Sequence, residues 1–449
     1  MEPYAIDAQR WPGVARVPAG PLGGTRGTLA RRSFERACVR AGVELSDACR
    51  GGADSAVAPA CELRVNNEAI YQRLAESDWL GLGESYLAGE WTSDTLPDTL
   101  GALLGVGLES GMEGRVGRSL RRVTRTRPEL ADESPGGELP SSLVALYAGK
   151  SLAAGSARFA SGIATTARED VAADAGSPKR RDLHRPPVDI TTVDPPVDPM
   201  RADLPGAQQR RIAAMMQAAQ VRASSRVLEW PSSGGSLAMA AAQRGAAADV
   251  VVNSSDMAAA VGKNIAEAGM SSYVKVLRSR DSIPSAREFP TDYDAIICAE
   301  RLETLGMAGL LRWLKTADRV LAERGRIVLH LPVAVGDSWG EVGPALDFVR
   351  SYIWPALYYP QLPELRRLIE RDTGLRVVEH THFAGHYEHT LRMWRELFAA
   401  QSRQAAGLGY DRVYRRLWEY YLALQEALVR TGRLDMVQLT LTVAPPRRR

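Results

Sequence analysis

The feature that most constrains this chain is the alternation of short apolar runs with helix-period stretches that begins at Gly206. Arg226–Trp230 (RVLEW) reads as a buried strand and Ser236–Arg244 as a helix. Asp249–Asn253 (DVVVN) follows as a second strand, then a helix over Asp256–Ala268 with Ser254 or Ser255 as its N-cap. Tyr273–Leu277, Tyr293–Cys298 and Gly325–Leu331 supply three more strands, and Leu310–Ala322 a further helix. Val- and Ile-rich runs separated by helices of this length pack as a parallel sheet covered on both faces. The expected fold is therefore α/β, a Rossmann-like doubly wound sheet. Helical segments at Leu362–Asp372 and His389–Thr431 and a last strand at Met436–Val443 follow it. On such sheets a ligand binds beyond the carboxyl ends of the strands, where the strand order reverses.

Upstream the chain changes character twice. Residues 1–127 read as a smaller N-terminal domain. Its clearest stretch runs from Leu74 to Gly107, where glycines at 81, 83 and 89 punctuate short apolar pieces and Asp98–Leu108 reads as a helix. Arg115–Arg127 carries six arginines, most of them on one side of any helix formed there. That side is either a solvated face or a contact for anionic lipid headgroups. Residues 128–206 are rich in Pro, Asp, Ser and Ala and lose all periodicity, so a divergent, partly disordered linker is expected, with at most weak Ala-rich helices over 141–165. Residues 207–449 hold the sheet domain.

Composition narrows the function classes. Basic and acidic residues nearly cancel, 56 against 53, and the net charge of +3 gives no reason to expect nucleic acid as a partner. The cysteines at 38, 49, 61 and 298 show neither a CxxC pair nor metal spacing, so free thiols in a reducing compartment are expected. The first residues, MEPYAIDAQRWPGVARVP, lack the apolar core of a signal peptide, and no apolar run reaches membrane-spanning length. The expected location is cytoplasmic, peripheral to the inner face of the membrane if the substrate is a lipid.

Four blocks resemble the cyclopropane-fatty-acyl-phospholipid synthase family, lipid methyltransferases dependent on S-adenosylmethionine. They are GLGESYLAGEW at 81–91, ERLETLG at 300–306 (a family block of the form E-M-x-E-x-V-G), HYEHTLRMWRELF at 386–398 and LWEYYLALQEALVRTGRLDMVQL at 417–439. The resemblance implies a class I methyltransferase sheet with helical C-terminal additions, preceded by a smaller domain. It also implies the reaction. A cis double bond of a membrane phospholipid's acyl chain attacks the sulfonium methyl. A base, thought in the family to be a bound bicarbonate, then takes a proton from the carbocation.

On the cofactor side, the turn after RVLEW reads in the family close to L-E-I-G-C-G-W-G-G. Glu229, Gly234 and Gly235 are its candidate cofactor residues here, while Pro231 and Ser233 stand at the first two motif glycines. Ser254 keeps a family serine and is the fourth candidate; Met257 replaces a family Gln, and the adenine-side acid falls near Arg280 and Asp281. The family block H-Y-D-x-x-N-D-L-F followed by M-x-Y-S-[CS], which folds over the cofactor, has no clear counterpart. The nearest stretch is SSLVALYAGKSLAAGSARFASG at 141–162, with Tyr147 out of context. These departures predict a degenerate cofactor site and weak binding of S-adenosylmethionine.

On the base side, Glu303, His330 and Tyr387 match three of the family positions that hold the bicarbonate, and the resemblance makes them the catalytic candidates. The alternative is that Glu303 and His330 form a satisfied polar pair at a strand end. Four histidines at 380, 382, 386 and 389 lie close together, but the family explains that segment without a metal. The aromatic tail (Trp394, Tyr410, Tyr414, Trp418, Tyr420, Tyr421) reads as helix core. The partners implied are membrane phospholipid acyl chains, with a homodimer or a heterodimer with a paralogue possible. Two functions stay open: a lipid methyltransferase, or a non-catalytic paralogue that binds lipid or supports an active relative.

Overall fold

The structure, a computed structural model, describes residues 6–18, 23–47, 61–108, 135–160, 164–169, 188–336 and 342–444. Two compact units emerge, and neither is continuous in sequence: one holds Met1–Ala131, Gly336–Leu357 and Trp394–Arg433, the other Asp132–Val335, Tyr358–Met393 and Leu434–Arg449. The boundaries differ from those expected at 127 and 206. The aromatic helix Arg412–Arg430 buries its face against N-terminal helices, which a division in chain order does not anticipate.

The first unit contains a small sheet of β1 (Glu44–Asp47), β2 (Glu62–Val65) and β3 (Trp91–Thr92), in that order. The block GLGESYLAGEW does not break into short pieces. It forms the second half of the helix Ala69–Ala88, which bends at Ser77 and Asp78, and continues into β3. Its glycines answer to packing: a Cβ at Gly83 would lie 2.3 Å from Phe348 Cδ2. Trp91 Nε1 donates to the Leu82 carbonyl and to Ser85 Oγ, both at 3.0 Å. The Arg416 guanidinium lies 4.1 Å from the centroid of the Tyr86 ring and donates to the carbonyls of Tyr86 and Trp91. Tyr414, Trp418 and Tyr420 are buried in the same core, as the helix-core reading expects. The arginine run at 115–127 lies outside the described residues.

The second unit carries a nine-stranded sheet: β4 (Ala164–Glu169), β5 (Val188–Val193), β6 (Arg226–Glu229), β7 (Ala247–Val252), β8 (Val274–Arg278), β9 (Tyr293–Ala299), β10 (Leu321–Ala334), β11 (Leu375–His382) and β12 (Leu434–Val443). The order is β4-β5-β11-β12-β10-β9-β6-β7-β8. Strands β10, β9, β6, β7 and β8 run parallel, and β12 inserts antiparallel between β10 and β11. The apolar runs form the buried strands because they are rich in β-branched and aliphatic residues, and β6, β7 and β9 lead into helices that cover the sheet. Leu228, Ile296, Leu329 and Trp313 are fully buried in the central core. From β6 the chain winds outward to β8, then returns to β9 on the other side of β6. The strand order therefore reverses between β6 and β9.

Within 128–206, the described residues include the helix Ser141–Ala148, inside the stretch read as weakly helical, and β5, which pairs parallel with β11 and was not anticipated. VDITTV is β-branched at five of its six positions, enough to extend a sheet despite the flanking prolines. Replacing Gly83 by Val should destabilise the first unit by about 1–3 kcal/mol, because the new side chain must displace Phe348. A thermal melt of the variant beside wild type checks this.

Candidate active site at the strand ends

The turn after β6 is organised by Glu229. Its carboxylate, fully buried, accepts bonds from the backbone N–H of Ser233 (2.7 Å), Gly235 (3.0 Å) and Ala238 (2.8 Å) and from Ser233 Oγ (3.0 Å). Both oxygens accept bonds from within the chain, so Glu229 shapes the turn. Left-handed backbone occurs at Gly234 (φ 80°) and Gly235 (φ 78°), where glycine costs least. Pro231 and Ser233 are absent from the positive-φ residues, so the two missing motif glycines carry no penalty in backbone conformation. Ser233 in fact adds its hydroxyl to the bonds on Glu229.

The segment expected to be missing lies over these strand ends. The Arg301 guanidinium donates to the carbonyls of Gly136 (2.8 Å) and Gly137 (3.0 Å). Glu138 accepts from the N–H groups of Asn253 (3.0 Å) and Ser254 (2.8 Å) and from Ser254 Oγ (2.8 Å) at the end of β7. Asp256 accepts from Ser141 N–H (2.7 Å) and Oγ (3.0 Å) where the helix Ser141–Ala148 begins. Leu152 then packs on Gly234, where a Cβ would fall 2.4 Å from its carbonyl oxygen. Beyond it, the N–H of Ser156 donates to Glu300, that of Ala157 to Thr390 Oγ1 (3.0 Å) and that of Phe159 to His386 Nδ1 (3.0 Å). Residues 136–159 therefore lie against the carboxyl ends of β6, β7 and β9 and against the helix Ala384–Ala400. Most contacts of this segment are made by backbone groups, which leave no residue signature.

Ser254 is thus engaged by Glu138, and its hydroxyl also caps the helix Ser255–Glu267 through Met257 N–H (3.0 Å). Asp281 faces solvent in an ion pair with Arg312 (3.1 Å). Strand β9 ends in two consecutive non-glycine residues with left-handed backbone, Glu300 (φ 62°) and Arg301 (φ 74°). Such strain of about 1–3 kcal/mol per residue persists only where surrounding contacts over-determine it.

The base-pocket candidates lie around that turn. Glu303 is enclosed; its Oε1 accepts from Arg301 N–H (3.0 Å), and its Oε2 has no partner. His330, 2% exposed, packs its ring 5.6 Å from Phe383, and its Nδ1, without a hydrogen bond, lies 3.9 Å from Glu300 Oε1. Tyr387 is buried one turn after Phe383 on the helix Ala384–Ala400. The simple Glu303–His330 pair is not formed; the carboxylate nearer His330 is Glu300, which sequence reasoning passed over although it opens the ERLETLG block. Burial, then the nearby Glu303, push the Glu300 carboxyl up to about 8, against the pull of Ser156 N–H and of Arg211. Burial raises Glu303 as well. It also holds His330 well below the usual imidazole range, helped by Arg211. Arg211 is fully buried, bonded through Nε to Gln208 (3.1 Å), with its Nη2 lacking a partner. The result is a buried polar cluster in which one carboxylate is poised between its two protonation states near neutral pH.

The remaining histidines are structural. His382 Nδ1 lies 2.5 Å from Asp435, its Nε2 lies 3.1 Å from His380 Nε2, and His386 stacks on Phe159. Among the described residues, no group of three or more His, Cys, Asp or Glu side chains is placed to hold a metal ion.

A doubly wound sheet with a glycine turn after its first central strand and an antiparallel strand between β10 and β11 is the class I methyltransferase fold. Residues 198–439, just over half the chain, match the family described as mycolic acid cyclopropane synthetase, and the chain belongs to that family. It is 28% identical over 452 residues to tuberculostearic acid methyltransferase UfaA1 of Mycobacterium tuberculosis, covering 97% of this chain and 96% of that one. It is 24% identical over 372 residues to cyclopropane-fatty-acyl-phospholipid synthase of Escherichia coli, with 81% and 83% covered. The solved cyclopropane synthase MmaA2 from Mycobacterium tuberculosis superposes with a TM-score of 0.46 at 20% identity, over 53% of this chain and 85% of that one. Among the described residues, no helix is long and apolar enough to cross a membrane.

Replacing Glu229 by Ala should leave several buried N–H groups without an acceptor and lower stability by about 1–3 kcal/mol or more. Chemical denaturation checks this, and Glu229→Gln should recover only part of the loss.

Proposed function

We propose that this chain is an S-adenosylmethionine-dependent methyltransferase that acts on unsaturated acyl chains of membrane phospholipids. Family membership supports the class; the buried carboxylate Glu300 facing Ser156 N–H and His330 carries the chemistry. What fits such a cofactor is the acidic pair at the end of β9, since Leu152 covers Gly234 and Glu138 already accepts three bonds at the end of β7. A cationic sulfonium is favoured near the buried carboxylates Glu300 and Glu303. When bound, the cofactor supplies an electrophilic methyl group.

Glu300 is the proposed base. A carboxylate raised to about 8 takes a proton from a carbocation readily, and its conjugate acid is stable in the buried cluster. The proton leaves the newly added methyl carbon for a Glu300 oxygen, and the C–H bonding pair closes the new carbon–carbon bond to the cationic carbon of the chain. Glu300 therefore stands in for the bicarbonate that the resemblance suggests, with Glu303 and His330 beside it. His330, held neutral, leaves the carboxylate without a fixed ion-pair partner and so leaves it basic.

The test is transfer of labelled methyl from S-adenosylmethionine to vesicles of oleoyl phospholipid. Wild type should label the lipid, and Glu300→Gln should lower kcat by about 10²–10⁴-fold while calorimetry still detects cofactor binding. Since the base must be ionised, kcat/KM should rise with pH through about 8 and level off above it. Wild type that binds the cofactor but labels no lipid refutes the transferase reading. Unchanged turnover in Glu300→Gln refutes only the base assignment.

A further inference from the structure

The helix Gly23–Ala41 in the first unit has an unusual outer face. Its exposed positions are Arg26, Thr28, Leu29, Arg32, Arg36, Val39 and Arg40, and none of them is acidic. Arg26, Leu29, Arg32, Arg36 and Arg40 follow one another at spacings of three or four, so they form one stripe, with Val39 beside Arg36. The two apolar side chains stand well out of the surface, Leu29 at 64% and Val39 at 80% exposure. The opposite face, with Ala30, Phe34, Ala37 and Cys38, is buried in the unit. The helix's one acid, Glu35, is turned to the flank and bonded to Arg31 at 2.7 Å. Arg26, Arg32, Arg36 and Arg40 make no ion pair with any described carboxylate; Arg36 donates only to the Arg32 carbonyl.

We propose that this face docks the protein on an anionic phospholipid surface, with the four arginines on headgroup phosphates and Leu29 and Val39 entering the boundary of the acyl layer. The proposal adds a docking surface to the lipid reading above and rests on that reading only for its purpose. A basic face alone suits nucleic acid equally well. Two exposed aliphatic side chains set among the arginines gain nothing against a sugar–phosphate backbone, and gain burial at a bilayer interface. A second copy of the same face is disfavoured, because isologous pairing sets the arginines against one another.

The experiment is sedimentation of the full chain with vesicles of phosphatidylcholine alone or with about one third phosphatidylglycerol. Wild type should bind the anionic vesicles and release them as salt rises. Arg32→Gln/Arg36→Gln/Arg40→Gln should weaken binding by about fivefold per arginine, roughly a hundredfold in all, and the Lys versions should restore most of it. Leu29→Ser/Val39→Ser should lower binding by about tenfold and leave the salt slope unchanged. These positions are exposed, so thermal melts should match wild type. Wild type that ignores anionic vesicles, a triple Gln variant that binds them normally, or equally tight binding to duplex DNA would each overturn the proposal. Methyl transfer to oleoyl phospholipid in non-ionic detergent should be the same in wild type and the Gln variant. No transfer there by wild type counts against the enzymatic reading, and the vesicle result decides docking by itself.

Discussion

Buried carboxylates that gather backbone N–H groups close the carboxyl ends of three strands, and the rest of the site depends on them. Glu229 does this after β6, Glu138 at β7 and Glu300 at β9. Taking a carboxylate out of water costs several kcal/mol unless hydrogen bonds replace the lost solvent. The three differ in how fully this happens. Glu229 receives four bonds and Glu138 three, and both act as fixed anchors. Glu300 receives one backbone N–H, and the neighbouring Glu303 opposes its ionisation. The carboxylate with the fewest donors is therefore the one left free to exchange a proton.

This distribution bears on how the departures in the glycine turn are read. A motif glycine is required where φ is positive or where another group comes close. The chain keeps glycine at both left-handed positions, Gly234 and Gly235, and places Pro231 and Ser233 where the backbone does not need it. Ser233 turns its extra atoms toward Glu229, so the substitution strengthens the anchor it would be expected to weaken. The approach to Gly234 is taken by Leu152, which ties the overlying segment to the turn itself.

How much of this could be read from the sequence depends on which atoms do the binding. The parallel sheet was legible because each strand is a short Val- or Ile-rich run and side chains carry the signal. Ser254 as a helix cap was legible for the same reason. The segment 136–159 was not, since Ser156, Ala157 and Phe159 bind through their N–H groups and any residue but proline offers one. Strand β5 was hidden by prolines on both sides, and Gly83 in GLGESYLAGEW looked like a break although it makes room for a residue more than two hundred positions away, Phe348. Glu300 was overlooked because the block was read for its second acid; only the fold brings the first acid toward His330.

The paired left-handed residues at the end of β9 connect these observations. An ordinary strand exit would direct successive side chains to opposite faces. With Glu300 and Arg301 both at positive φ, one side chain reaches Ser156 and the other reaches the carbonyls of Gly136 and Gly137. Two adjacent residues thus hold both ends of the segment that covers the cluster. The backbone strain at this turn is offset by contacts to that segment, so the geometry of the proposed base and the burial of the cluster are set by the same few bonds. Burial of this kind strips solvent from the Glu300 carboxylate and raises its proton affinity.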